Sequence, residues 1–249
     1  MKKVLIFFIF TGITGNIPHY FKTGEEFIYS VKTKFLGADL TLGKATLRLK
    51  EIKKIGREKC YHLIFEVKSN IRIRIGSTNK KIFVHNRGES YCSVKDFSVL
   101  RFERYTNEKF PWRAKKREEK IVEIMDGKAY YSGDPDYSDT LNINPQVKDL
   151  ISTIYYLRTL KNLEKRPSVT VWILNENTKK YGQLEIKNKG REKIETEVGK
   201  FTCIKLEFLM QESGLFSTDN MIIWLDIEER IPVKMTIENL DFRMKSRKK

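Results

Sequence analysis

Few residues in this chain have the type and spacing to do chemistry. The three histidines, His19, His62 and His85, lie far from any serine, cysteine or carboxylate pattern of a catalytic triad. His62 follows Cys60 by two residues, which in a strand puts both on one face, where a thiolate–imidazole pair could form. The surrounding Cys60-Tyr-His-Leu-Ile-Phe is an apolar strand pattern, however, and packing is the reading we adopt. Cys60, Cys92 and Cys203 are an odd number, so at most one internal disulfide can form, and whether any pair forms stays open. No CxxC or neighbouring histidine offers zinc spacing. Asp134, Asp136 and Asp139 are the densest carboxylate group, but they lack the glycine and terminal glutamate of a calcium loop and read as a solvated turn. With no GxSxG, phosphate-binding loop, HExxH or dinucleotide fingerprint, we expect a non-enzyme without catalytic residues, cofactor or metal.

Binding is the remaining class. The chain carries 48 Lys and Arg against 32 Asp and Glu, a formal net charge of +16. That excess suits an anionic lipid headgroup or acidic polymer, and alternation would place Arg72 and Arg74 on one sheet face, extended by Arg113, Lys115, Arg117 and Arg101 if their strands lie close. Trp112, Trp172 and Trp224 point instead to a bulky apolar face. Leu150, Ile154, Tyr155, Trp172 and Trp224 are the candidate lining of a cavity for an acyl chain or other amphiphile.

The elements that must position these groups are mostly strands. Gly43 to Leu49 and Ile71-Arg-Ile-Arg-Ile75 alternate with period two, and β-branched and aromatic runs recur at Phe27–Phe35, Tyr61–Val67, Lys81–Val84, Val94–Tyr105, Trp112–Ile124, Val169–Leu174, Gly182–Lys187 and Phe201–Met210. Turn signals separate them at Asn86-Arg-Gly88, Asp126-Gly127, Asn188-Lys-Gly190 and Val198-Gly199. Met221 to Ile237 writes out a further hairpin around Asp226 and Arg230, with Pro232 opening its second strand. Asn144 as N-cap and Pro145 at the first helical position begin one amphipathic helix over about 145–160. The expected fold is mainly β: a curved antiparallel sheet or half-open β-barrel of about ten or more strands with one helix packed on it.

Lys2 and Lys3, the apolar Val4 to Phe10 and the small residues near Gly15 read as a signal peptide over 1–15, leaving a single domain over 16–249 with a frayed basic tail at 245–249. No run reaches the roughly 18 apolar residues of a membrane-spanning helix.

Four stations in order resemble the exported bacterial proteins called domain of unknown function 3108. They are Gly24-Glu-Glu-Phe-Ile-Tyr29, Asp149-Leu-Ile-Ser-Thr-Ile-Tyr-Tyr-Leu-Arg158, Glu195-Thr-Glu-Val-Gly-Lys-Phe-Thr-Cys-Ile-Lys205, and the Trp224 to Lys234 hairpin. The resemblance implies a β-rich fold and an envelope location and carries over no catalytic residue. The hairpin alone is also similar to the closing hairpin of periplasmic lipoprotein carriers, whose half-barrels hold acyl chains. The expected function is therefore a soluble exported, periplasmic or extracellular protein that binds a lipidic or amphiphilic envelope component. The alternative is an accessory module that binds an anionic glycan or a protein partner through a basic sheet face, and no nucleic-acid partner is expected.

Overall fold

The computed structural model describes residues 21–35, 38–75, 77–133, 138–176, 178–210 and 221–248. The strands are β1 (Glu26–Phe35), β2 (Ala38–Ile55), β3 (Glu58–Ile75), β4 (Thr78–Ser93), β5 (Val99–Lys109), β6 (Lys116–Met125), β7 (Lys128–Gly133), β8 (Asp139–Asn142), β9 (Ser168–Asn175), β10 (Lys180–Thr196), β11 (Gly199–Met210), β12 (Met221–Asp226), β13 (Pro232–Ile237) and β14 (Leu240–Lys248). Among the described residues one α-helix, α1 (Leu150–Thr159), lies between β8 and β9, followed by a single 3-10 turn at Leu163–Lys165. All the strands join in one antiparallel sheet in the order β8-β7-β6-β5-β4-β3-β2-β1-β14-β13-β12-β11-β10-β9. Each strand pairs with the next in the chain except β8 and β9, which form the two edges, and β14 returns to pair with β1.

The sheet curls without closing. Phe65 of β3 and Phe242 of β14 meet at 5.9 Å between ring centroids although two strands separate theirs, which requires strong curvature. The edges β8 and β9 are not paired with one another, yet the gap between them is bridged. The Lys148 N–H donates to the Trp172 carbonyl of edge strand β9 and the Leu174 N–H to the Lys148 carbonyl, both at 2.8 Å. The Val99 N–H of β5 donates to Val147 O at 2.9 Å. Arg104 of β5 reaches Glu176 at 2.7 Å and Lys179 reaches Asp139 of β8 at 3.6 Å.

These bridges explain where the helix begins. The expected start at Asn144 and Pro145 is corrected: Asn144 Oδ1 instead accepts from the Gln146 N–H in a local turn, and the backbone of Val147 and Lys148 is committed to β5 and β9. The helix can start only after them. Asp149 is the N-cap, in a capping box where its Oδ1 accepts from Ser152 N–H at 2.6 Å and Ser152 Oγ accepts from Asp149 N–H at 3.0 Å.

Three other expectations change. The Asn86-Arg-Gly88 turn is the middle of β4, where Gly88 lies under α1: a Cβ there would come 3.2 Å from Ile151 Cδ1 and 3.3 Å from Phe102 Cζ. The missing side chain lets helix and sheet approach. Asn188 to Gly190 is a bulge inside β10 rather than a turn between strands. The tail at 245–249 is not frayed through Lys248. It completes β14, with Lys248 opposite Glu26 and Arg247 opposite Phe27, because β1 would otherwise leave an unpaired edge.

Candidate functional site

A cavity of about 250 Å³ lies between the N-terminal half of α1 and the inner face of the sheet. Alternation along β3 sends Phe65 and Val67 inward, and the register carries that face to Gly88 and Asn86 of β4 and to Phe102 and Arg104 of β5. Met221, Met235 and Ile237 line the opposite wall from β12 and β13, and Leu150, Ile151 and Ile154 form the roof. Two distant parts of the sheet and the helix thus share one predominantly apolar space. Its polar groups are few: the Arg104–Glu176 ion pair, Asn86, Arg87 and the buried Asp149. One Asp149 oxygen caps the helix, while Oδ2 lies near the Ser90 hydroxyl without closing a hydrogen bond. Burial pushes this carboxyl up to about 6 against the opposing pull of its serine contacts.

Of the five residues expected to line a cavity, Leu150 and Ile154 do so. Tyr155 is wholly buried beside Arg158, away from the cavity lining. Trp172 and Trp224 are corrected: both face away from the helix. Trp172 packs on Tyr181 at 5.7 Å on the outer side of β9 and β10. Trp224 is covered on the outer side by Lys234, 4.2 Å from its ring, and donates its indole N–H to Glu192 at 2.8 Å. The inward neighbour is Ile223, opposite Met235. Period-two counting cannot say which of two apolar faces is the concave one, and β12 is apolar on both.

The basic residues do not form one continuous face. Arg72, Arg74 and Arg117 lie on the outer side, Arg117 in the row of Asn107, His85 and Lys68, four residues along β3 from Arg72. Arg113 and Lys115 belong to the turn between β5 and β6, where Arg113 stacks over Phe110 at 3.9 Å and pairs with Glu108. Arg101 is held by Glu103 and Glu123, each at 2.7 Å.

His62 does not pair with Cys60. Its Nε2 lies 2.5 Å from Glu89 and its Nδ1 3.3 Å from Glu51, with the ring stacked on Tyr91 at 4.3 Å. The His62 hydrogen bond and the nearby Arg87 hold the Glu89 carboxyl down to about 2. All three cysteines are free and buried, and burial raises each thiol, Cys203 to about 12. Such thiols are poor nucleophiles. Among the described residues no group of three His, Cys, Asp or Glu is arranged to hold a metal. His19, Asp134 and Asp136 lie outside the described residues, as does the expected signal peptide, while Asp139 pairs with Lys179.

Sequence reasoning missed the most heavily constrained part of the molecule. Arg158, at 0 % exposure, is the centre of a buried ionic node. Its Nη1 and Nη2 donate to the two oxygens of Glu25 at 2.5 and 3.0 Å, and Nε donates to Arg230 O at 2.8 Å. The rings of Phe21, Phe27 and Tyr155 surround the guanidinium at 4.7 to 5.3 Å. Tyr29 OH donates to Pro232 O at 2.8 Å beside it. Asp226 Oδ2 closes the adjoining turn by accepting from the N–H groups of Glu228 and Glu229, and Ile227 N–H donates to Thr202 O at 3.0 Å. The four sequence stations therefore meet in space. The node anchors the C-terminal half of α1, leaving the cavity under its N-terminal half. A charged residue ten places into an apolar helical pattern, with Glu25 in a Gly-Glu-Glu turn, was the available signal.

The family model described as "Protein of unknown function (DUF3108)" matches residues 28–241. A comparison with curated proteins returns no match. Among solved structures, the chain is similar to a beta-barrel-like protein of domain of unknown function DUF1849 from Brucella abortus. The TM-score is 0.59 at 9% identity, covering 90% of this chain and 96% of that one. At that identity the likeness is one of fold.

Proposed function

The chain belongs to the DUF3108 family of proteins of unknown function, and we propose that it is a non-enzymatic, exported envelope protein that holds the apolar part of an amphiphile between α1 and the inner face of the sheet. The observation that carries this reading is the roughly 250 Å³ cavity whose walls come from β3–β5 on one side and β12–β13 on the other. Binding sites for small molecules are typically apolar spaces with a few convergent polar groups. Here the apolar lining is Phe65, Val67, Phe102, Ile154, Met221 and Met235, and the polar groups are Asp149, Asn86 and the Arg104–Glu176 pair. The volume is just below the usual range of about 300–1,000 Å³ and suits a single short chain or one segment of a longer one. The buried, high-pKa thiols and the structural engagement of His62 support a binding role over catalysis. The hairpin likeness to lipoprotein carriers and the N-terminal signal pattern support the envelope setting.

Native mass spectrometry of the protein after incubation with extracted envelope lipid, paired with displacement of a fluorescent fatty acid, tests the proposal. Val67→Phe, which puts a ring into the half-buried wall of the cavity, should weaken probe binding at least tenfold while leaving the melting temperature within a few degrees. Equal probe binding by wild type and V67F would remove the cavity as the site.

A further inference from the structure

We propose that the end of the sheet formed by the β3–β4 hairpin and the β5–β6 turn is a docking edge for an anionic lipid bilayer. Lys109 pairs with Phe83, so the chain enters the β5–β6 turn beside Ile82 and Lys81 of β4, and the two tips lie at one end of the sheet. Trp112 is 62 % exposed in that turn, the most exposed of the large apolar side chains among the described residues. It leans on Phe110, 5.6 Å between ring centroids, and Arg113 stacks on the other ring. Indole rings beside guanidinium and ammonium groups are the composition of a membrane–water interface, where the ring sits at headgroup depth and the cations meet phosphate.

The charge around this ring has one sign. Residues 71–81 contain four Lys and Arg, residues 109–117 contain five, and neither stretch contains Asp or Glu. The bordering acids are engaged: Glu108 pairs with Arg113 and accepts from Asn86, and Glu118 pairs with Lys116 and Lys120. Among the described residues no carboxylate meets Arg72, Lys81, Lys115 or Arg117. An exposed tryptophan without a packing partner in the core fits a bilayer better than an acidic polysaccharide, which offers charge but no apolar phase. On the inner face, Ile71 and Ile82 are paired and continue the row of Phe65 and Val67 from the cavity toward the same tip. Docking through the tip residues rests on the tip alone and does not require the cavity to be occupied.

The test is flotation of the full chain with vesicles of phosphatidylcholine alone or with phosphatidylglycerol, combined with quenching of tryptophan by brominated acyl chains. Each basic side chain near such a surface contributes about fivefold to partitioning. Arg72→Glu with Lys81→Glu, both exposed strand positions, should therefore lower binding to the anionic vesicles at least about 25-fold without shifting the melting temperature. Binding should also be lost at 1 M salt, where the Debye length is about 3 Å. Trp112→Ser should abolish the quenching component in the wild-type signal. Unquenched Trp112, or equal binding of wild type and the double variant, would overturn the proposal, and tight binding to a soluble acidic polysaccharide without vesicle binding would assign the edge to a polymer. V67F should still float with vesicles, which separates failure of the docking edge from failure of the cavity.

Discussion

Replacing Glu25 with glutamine removes one charge from a site where the other cannot follow it into water. Glu25 is 3 % exposed and Arg158 is 0 %, and among the described residues the carboxylate paired with the guanidinium is that of Glu25, while Arg230 contributes a neutral carbonyl. Three aromatic faces offset part of the loss but supply no formal charge. Breaking a buried pair by deleting one partner costs about 3–5 kcal/mol. For a chain of this size that corresponds to a drop of about 6 to 20 °C in melting temperature, taking about 2–4 °C per kcal/mol. Because the penalty comes from the orphaned charge and not from lost attraction, Glu25→Leu combined with Arg158→Met should recover more than half of it. Urea and thermal denaturation of the wild type, E25Q, R158M and E25L/R158M at neutral pH measure these terms. A cost below 1 kcal/mol for E25Q, or a double variant as unstable as the sum of the singles, would refute the assignment of Arg158 as a charge that depends on Glu25.

The buried carboxyl of Asp149 has its pKa raised from 3.8 to about 6, so the folded state binds the extra proton between those values and stability falls as pH rises from about 4 to about 6. Asp149→Asn keeps a good N-cap, and the difference in urea midpoint between it and the wild type should grow over that window in favour of the variant, by up to about 3 kcal/mol. An identical pH slope in both proteins would show that Asp149 does not titrate there. Gly88→Leu should force α1 off β4 and destabilise by about 1–3 kcal/mol, read as a lower melting temperature, because even a Cβ comes within 3.3 Å of Phe102 and Ile151. Asp226→Ala should cost about 1–2 kcal/mol by freeing two backbone donors of the β12–β13 turn, and Asp226→Asn should restore most of it in the same melt.

The strand content was legible because an antiparallel strand with one buried face writes its alternation into the chain, as Ile71 to Ile75 and Gly43 to Leu49 do. The short β7 and β8 carry too few alternating residues to stand out, and β14 was hidden by its basic outer positions, although Phe242 and Met244 alternate with Arg243, Lys245 and Arg247. The helix was legible in its apolar spacing but not in its start. Asn144-Pro145 is a good local beginning, and Asp149 to Ser152 is another; only the demands of β5 and β9 on the backbone of Val147 and Lys148 choose between them.

By itself, then, the order of residues determined the class of fold, the presence of a helix between β8 and β9 and the hairpin around Asp226, because each depends on neighbours a few positions apart. The tertiary structure decided which face is concave. It turned Trp172 and Trp224 outward, brought Glu25, Arg158 and Arg230 together from the two ends and the middle of the chain, and left a space under Leu150 and Ile154. Those outcomes depend on the curl of the sheet, which accumulates over the fourteen described strands and is encoded in no single one of them.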